Sequence, residues 1–451
     1  MRAVLPLLAA LVFACTPEPG GSSDAGGSSG VGPTSFGSSG DATGDPTTGA
    51  PTTSGASESG TTGSTGDDTT TGGPVMSEDE ILLRKAIAGE VDPVAAVQTI
   101  TERGGFPIAA ASGGYLFACL CGPGDWNLAG DHNAWAPEPM ALVGPLWWIE
   151  AEVPTPDGSL YKFNDPGQAL WIADPHGRRY GFDDFGRFSL VRASAAHLEQ
   201  WYAIDGSRFG LAPRDLQVWV PQAGAFTRAL YVHDGQNLFD PEAIWGGWHL
   251  QDTVPPDVLL VGVDNTVDRM SDYTHVQDDI GGGPIGGEGE AYAQLVDTVI
   301  RPRIEAAYGP ADVVGTMGSS LGGLISLVIA DQYPARYDMA ISLSGTVGWG
   351  SIGLHNETIL ERYAAAGKRD FTIYLDSGGG GTCADTDMDG IEDDTDAADN
   401  FCENAQMLGI LEGLGYTPDV DLFYVHEEGA VHNEAAWAAR VDVPMAIFAG
   451  L

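Results

Sequence analysis

The stretch Val313-Val314-Gly315-Thr316-Met317-Gly318-Ser319-Ser320-Leu321-Gly322-Gly323-Leu324 runs from an apolar segment into a Gly/Ser turn and on into a second apolar segment ending near Gln332. The first segment reads as a buried strand and the second as a helix, with almost no chain between them. Gly318-Ser319-Ser320-Leu321-Gly322 fits the pattern G-x-S-x-G, which bends a strand sharply into a helix and lifts the central hydroxyl out of the turn. In a chain with 63 glycines the bare motif is weak. The strand before it and the helix after it single out Ser320, placed where the positive end of a helix favours developing negative charge.

Strand and helix patterns alternate on both sides of this turn. Leu216–Val220, Ala229–Val232, Val258–Val263, Met339–Leu343, Phe371–Leu375 and Leu422–Val425 read as strands, Ala291–Ala307 reads as a helix, and the chain ends in another. Such alternation predicts an α/β domain over 200–451, with a mostly parallel sheet covered on both faces. An activated hydroxyl needs a base, and after Ser320 only His355, His426 and His432 remain. His432 lies just past the last strand, in Gly429-Ala430-Val431-His432-Asn433-Glu434, and is the expected base. His426 continues the strand and reads as packed or solvated. For the acid that orients the imidazole, Asp376 ends a strand at the expected place, and Asp385 a few residues later stands as the alternative.

Several blocks in order resemble the esterase D and enterochelin-esterase-like family of α/β-hydrolases. They are Tyr231-Val232-His233-Asp234-Gly235-Gln236-Asn237-Leu238-Phe239, then Val263-Asp264-Asn265 with Arg269 and Tyr273-Thr274, the Ser320 turn, and His432-Asn433-Glu434-Ala435-Ala436-Trp437. The resemblance spans roughly 214–450. It implies an oxyanion hole made by the backbone N–H groups of Gln236 and Leu321, with Asn265 and Arg269 bordering the pocket. Ester hydrolysis through an acyl-enzyme on Ser320 follows from it, needing no organic cofactor and no catalytic metal. The substrate classes it implies are acylated sugars, feruloyl-type esters and siderophore-like esters.

The chain departs from that family in an acidic insertion over 378–402. Asp385-Thr386-Asp387-Met388-Asp389-Gly390-Ile391-Glu392-Asp393-Asp394-Thr395-Asp396 resembles the calcium loops of EF-hand, dockerin and thrombospondin repeats. Carboxylates at relative positions 1, 3, 5, 9 and 12 with glycine at 6 make Asp385, Asp387, Asp389, Asp393 and Asp396 expected ligands of a structural Ca²⁺. Cys383 and Cys402 flank this loop and are the expected disulfide, while the pairing of Cys119 and Cys121 stays open.

The first half of the chain is organised differently. Met1-Arg2 followed by an apolar run to Ala14 reads as a secretion signal over 1–15. Leu11-Val12-Phe13-Ala14-Cys15 resembles a bacterial lipobox, which implies lipidation of Cys15 and a place in the cell envelope, at the outer membrane or cell surface. Residues 16–75 are Gly, Ser, Thr, Pro and Asp with no Lys or Arg, a composition expected to remain a disordered tether. Residues 76–108 read as a helical lead-in capped by Ser77. Residues 109–195 read as all-β, an immunoglobulin-like sandwich. In it, Leu128-Ala129-Gly130-Asp131-His132-Asn133-Ala134-Trp135, Leu160-Tyr161-Lys162-Phe163, Trp171 and Asp174-Pro175 resemble family-48 carbohydrate-binding modules. That resemblance implies sugar contacts from Trp135, Lys162 and Trp171, beside the plain reading of tryptophans as core.

The formal net charge is -43, and only seven of the 63 acidic residues fall in the tether. A folded body this acidic excludes nucleic acid and anionic membrane surfaces as partners. A small ester or acylated carbohydrate, and a membrane reached through a lipid on Cys15, are the partners expected. A different class of function, a surface glycan-binding lipoprotein with a silent hydrolase domain, is the alternative.

Overall fold

The computed structural model describes residues 75–222, 226–394 and 399–451. The expected signal segment, the tether, Cys15 and Asp396 lie outside these residues. Helices α1 (Glu78–Ile87) and α2 (Pro93–Arg103) open the described chain. As the sequence predicts, the Ser77 hydroxyl caps α1 by accepting the Glu80 N–H at 3.1 Å. No helix among the described residues is long and apolar enough to cross a membrane.

Two sheets follow. Strands β1 (Tyr115–Cys119), β2 (Asn127–Gly130), β3 (Leu146–Ala151) and β4 (Leu160–Asp165) carry most of the first core. Alternate residues of β1 point to opposite faces, so Tyr115, Phe117 and Cys119 meet Leu128, Trp147, Ile149, Tyr161 and Phe163 between the sheets. Leu116 and Ala118 face the other way and meet Leu83, Val97 and Ile100 of the two helices. The lead-in therefore roofs the sheet that contains β1 and β3, which explains why every residue of β1 is buried.

Strands β5 (Arg179–Asp183) and β6 (Gly186–Leu190) lead to β7 (His197–Ile204) and β8 (Arg214–Val220). Leu198 of β7 pairs with Tyr180 of β5, and Glu199 with Arg179. One fourteen-stranded sheet consequently runs from the sandwich region into the α/β region without a break. The expected boundary between 195 and 200 falls inside this sheet, and Tyr180 and Leu198 belong to the same core cluster as the central strands.

The α/β region is built on β9 (Arg228–His233), β10 (Val258–Val263), β11 (Val313–Ser319), helix α3 (Leu321–Gln332), β12 (Met339–Leu343), β13 (Thr372–Ser377) and β14 (Leu422–His426). The order is β14-β13-β12-β11-β9-β10-β8-β7. The first six are mutually parallel, and β8 joins β10 antiparallel. Ala229, Tyr231, Leu259 and Val261 pack into one core with α3, whereas Leu230, Val232, Val258 and Leu260 pack into the core on the opposite face. This is the mostly parallel, doubly covered α/β arrangement expected of continuous apolar strands, each buried aliphatic side chain contributing about 1.5–3 kcal/mol. The C-terminal ends of β9, β11, β12 and β13 all open toward the same rim, and the chemistry gathers there.

Candidate active site

Ser320 separates β11 from α3 with φ 57° and ψ −125°, a backbone region that costs on the order of 1–3 kcal/mol for a non-glycine residue. Close packing holds it there. A Cβ on Gly318 would stand 2.6 Å from the carbonyl carbon and oxygen of Gly322, so the turn closes only around glycine. The Ser320 N–H donates to Leu343 O at 2.9 Å, and its carbonyl accepts the N–H groups of Gly323, Leu324 and Thr346.

The oxyanion side rises from β9. Asp234 takes a left-handed conformation (φ 60°, ψ 47°) and starts a single 3₁₀ turn, Gly235–Asn237. Gly235 lies against β10, where a Cβ would come within 2.5 Å of Asp264 Oδ1. The Asn237 N–H closes the turn on Asp234 O, while Gln236 and Leu321 occupy first-turn positions whose N–H groups a helix does not satisfy itself. Both positions are the ones the sequence singles out.

Asn265 and Arg269 serve this turn from beneath rather than the pocket wall expected of them. Arg269 grips both oxygens of Asp234, through Nε and Nη2 at 2.8 Å each, and the Asn265 amide donates to Asp234 Oδ1 at 2.6 Å. The Asn265 N–H also donates to Gln236 Oε1 at 3.1 Å. Both side chains are buried, and a bidentate guanidinium is a rigid way to fix a carboxylate.

His432 lies before the short helix Glu434–Ala438, and its ring meets Trp437 edge-on at 4.9 Å. Its Nδ1 is 2.5 Å from Asp399 Oδ1. A carboxylate only accepts, so Nδ1 carries the proton and Nε2 presents a lone pair, with no hydrogen-bond partner among the described residues. His426, read as packed or solvated, is exposed and stacks on Phe401 at 4.4 Å.

The acid facing His432 is thus neither Asp376 nor Asp385. Asp376 is the penultimate residue of β13, but it is wholly buried and accepts from Arg440 Nε and Nη2, both at 3.0 Å, and from the Ser344 N–H at 2.9 Å. Asp385 folds its carboxylate onto the N–H groups of Met388, Asp389 and Gly390 within its own loop. Asp399 arrives at the far end of the insertion, in consecutive left-handed residues with Asn400. No motif marks it, because it is one acid among many in that insertion. An Asp-Asn pair directly before a helix, a type of residue that tolerates left-handed φ, is the only local signal it offers.

Asp399 is held as an acceptor on both oxygens. Oδ2 receives the Gly378 N–H at 2.6 Å and the Ser344 hydroxyl at 2.7 Å. The direction of the second bond follows from counting donors. Trp437 Nε1 and Arg440 Nη2 both donate to Ser344 Oγ, so the hydroxyl proton has only Asp399 to go to. Burial pushes the Asp399 carboxyl up, but hydrogen bonds and charge from His432, the Ser344 hydroxyl and Arg440 outweigh it and hold the group below the usual carboxylate value.

The remaining expected site residues separate into three groups. Trp135 and Trp171 are exposed by 36% and 47%, and their rings lie 6.3 Å apart on one surface of the sandwich region. Lys162 is buried and donates to Phe185 O at 2.7 Å, so it does not stand beside them as a sugar contact. In the insertion, Asp385, Asp387 and Asp393 bring carboxylate oxygens within 4.8 Å of one another, and Asp389 Oδ2 pairs with His355 Nδ1 at 3.0 Å. Cys383 and Cys402 form the expected disulfide, and Cys119 and Cys121 form a second.

The model of the family described as Putative esterase matches residues 213–445. Uncharacterized protein YbbA of Bacillus subtilis (strain 168) is 28% identical over 123 residues, which is 26% of this chain and 49% of that protein. The chain thus spans about half the length of that curated relative. Among solved structures, ferric enterobactin esterase of Salmonella typhimurium aligns with 15% identity and a TM-score of 0.42, over 79% of this chain and 98% of that one. The IroE-like serine hydrolase of Shewanella oneidensis aligns with 17% identity and a TM-score of 0.44, over 56% and 80%. The family model covers more than half of the chain, and the chain belongs to the Putative esterase family.

Proposed function

We propose that this protein hydrolyses a carboxylic ester through an acyl-enzyme on Ser320. One observation carries the reading: the segment Leu343–Thr346 ties nucleophile and acid together. Leu343 O and the Thr346 N–H hold the main chain of Ser320, and between them the Ser344 hydroxyl holds Asp399, which holds His432. His432 Nε2 takes the Ser320 proton as Oγ attacks the ester carbonyl. The N–H groups of Gln236 and Leu321 receive the oxyanion, and the imidazolium returns its proton to the leaving alcohol. Water, deprotonated by the same nitrogen, then releases the acid and restores Ser320.

The finer parts of the reading rest on sequence and on surface features. The substrate is a small ester or acylated carbohydrate, and the exposed Trp135–Trp171 pair offers a surface on which a sugar ring could stack. A lipid on Cys15 would tether the enzyme to the cell envelope. The oxygen donors of Asp385, Asp387 and Asp393 suit a hard cation such as Ca²⁺, whose role would be to pin the insertion that delivers Asp399.

A fluorophosphonate probe tests the central claim. The protein should be labelled, Ser320→Ala should abolish labelling, and His432→Ala should reduce it by about two or more orders of magnitude. Absence of labelling in folded wild-type protein would favour the silent, glycan-binding alternative. For the cation, millimolar Ca²⁺ should raise the thermal midpoint, by the equivalent of about 2.7 kcal/mol at a hundredfold excess over Kd. Asp387→Ala should remove that gain, and a midpoint indifferent to Ca²⁺ or EGTA would dismiss the site.

A further inference from the structure

Behind His432 lies a charged group that the reaction as written does not use. Arg440 Nη2 sits 3.5 Å from Asp399 Oδ2, yet the guanidinium gives its two direct carboxylate bonds to Asp376, at 3.0 Å each. Both members are nearly sealed from solvent. With neutral His432, Asp376, Asp399 and Arg440 sum to one negative charge, which protonation of His432 cancels. Without Asp376, the full charge of Arg440 would compete with the imidazolium for Asp399.

We propose that Asp376 is a positioning residue: by occupying Arg440 it leaves the Asp399 charge to His432, so that the Asp376–Arg440 pair sets the basicity of the catalytic imidazole. This rests on the ester-hydrolase reading and goes beyond it, since Asp376 touches no reacting atom. It also accounts for an acid kept at the end of β13 although another residue faces the histidine. Burial pushes the Asp376 carboxyl above its ordinary value, the Asp399 charge adds to the rise, and the bidentate guanidinium and the Ser344 N–H offset it only in part.

Other ionisable groups surround this cluster from five segments. Tyr374 on β13 reaches Asp376 Oδ2 at 3.3 Å, and Tyr424 on β14 bonds Ser377 Oγ. Asp394 faces Asp399 from the insertion, Glu403 on the next helix faces Asp394, and Glu434 opens the helix that follows His432. Burial raises both Tyr374 and Tyr424, and it raises Glu403 and Asp394 as well, the last to about 6. None of these supplies a cation, so Arg440 is the positive charge to be neutralised.

The test is the pH dependence of Ser320 labelling by the fluorophosphonate, measured on the full chain, because the labelling rate follows the neutral fraction of His432. Asp376→Asn should move the acid limb to lower pH by about 0.5 unit or more, since unopposed positive charge disfavours imidazolium. Arg440→Gln should move it to higher pH by less, because a buried carboxylate stripped of its cation takes up a proton. The double variant should return toward wild type. A limb unmoved or raised in folded Asp376→Asn, or lowered in Arg440→Gln, overturns the proposal. If one single variant does not fold, the other decides alone: a limb lowered in Asp376→Asn or raised in Arg440→Gln supports the charge-pairing account, and an unmoved or opposite limb defeats it. Wild-type protein that is never labelled would instead defeat the ester-hydrolase reading.

Discussion

The two walls of the site are made in opposite ways. The nucleophile wall stands on adjacent central strands: β9 supplies the oxyanion turn, β11 the serine, and parallel register ties Tyr231 to both Val261 and Thr316. Its parts lie within a few residues of a strand end. The acid wall stands on β13 next to the sheet edge, and Asp399 reaches His432 only after a detour that begins at Gly378 and is closed by the Cys383–Cys402 bridge. One wall is positioned by backbone geometry and the other by a network of side chains. The difference teaches where each is vulnerable: a methyl group should break the first, and a single charge the second.

The largest effect should come from the acid wall. Asp399→Asn removes the acceptor that fixes the tautomer of His432, and should slow Ser320 labelling by about 10³–10⁴-fold with the fold intact. Asp385→Asn should leave labelling at saturating Ca²⁺ within about threefold of wild type, because Asp385 makes no bond to His432 or Asp399 and the amide keeps an oxygen for the loop N–H groups and the cation. The reverse order of effects would mean that the side-chain network is not what places the acid. The comparison would then fail at its first step.

On the nucleophile wall the sensitive position is Gly318. Its substitution by alanine forces a 2.6 Å approach to Gly322 backbone, which cannot give way as a flexible side chain would. A destabilisation on the order of 2–4 kcal/mol is expected from denaturant unfolding, with labelling lost in what remains folded. Gly322→Ala is the control. The nearest atoms to its Cβ are Asp234 Oδ2 and His233 Cβ at 3.4 Å, an ordinary contact, so it should cost at most about 1 kcal/mol. Similar losses in the two variants would deny the backbone account of this wall.

The same contrast explains what the sequence made legible. The positions of Ser320, Gln236 and Leu321 are legible because a sharp strand-to-helix turn and a short turn after β9 demand glycines at fixed offsets, and that of His432 because few histidines follow Ser320 and one lies just past the last strand. Such demands leave a local trace. Asp399 was not readable, since a carboxylate delivered by a long excursion needs no particular neighbours, and several identical carboxylates surround it. Arg269 is legible by its place in a motif, but the motif does not reveal its buried partner. Motif position cannot say whether a guanidinium faces a substrate or a buried aspartate, and here Asp234 takes it. In the fold, strand periodicity gave the parallel core. It could not show that β7 would pair with β5 and fuse the two sheets, because edge pairing depends on which strands remain uncovered.

The nucleophile wall also carries a defect of its own, and its removal should give the smallest effect. Asp264 lies under the oxyanion turn, half-buried as a residue but with Oδ1 sealed from solvent, with Gln217 Nε2 on Oδ2 at 3.2 Å and no hydrogen-bond partner on Oδ1 among the described residues. Desolvation pushes its carboxyl up to about 8, outweighing the Gln217 hydrogen bond. In the unfolded chain the same group titrates near 3.9. The folded state therefore binds the extra proton between those values, and stability falls as pH rises through that window. The contribution of this carboxyl is fully present below about pH 4 and is lost by about pH 8. Asp264→Asn keeps an acceptor for Gln217 without a titrating proton. It should be neutral to slightly destabilising at pH 4, where a buried amide N–H goes unsatisfied, and should gain on wild type by on the order of 1–4 kcal/mol by pH 7–8. Denaturant unfolding at several pH values measures that difference directly. A gap that stays constant across pH 4–8 would show that Asp264 is ionised in the fold, and that backbone geometry holds the oxyanion turn against a buried charge.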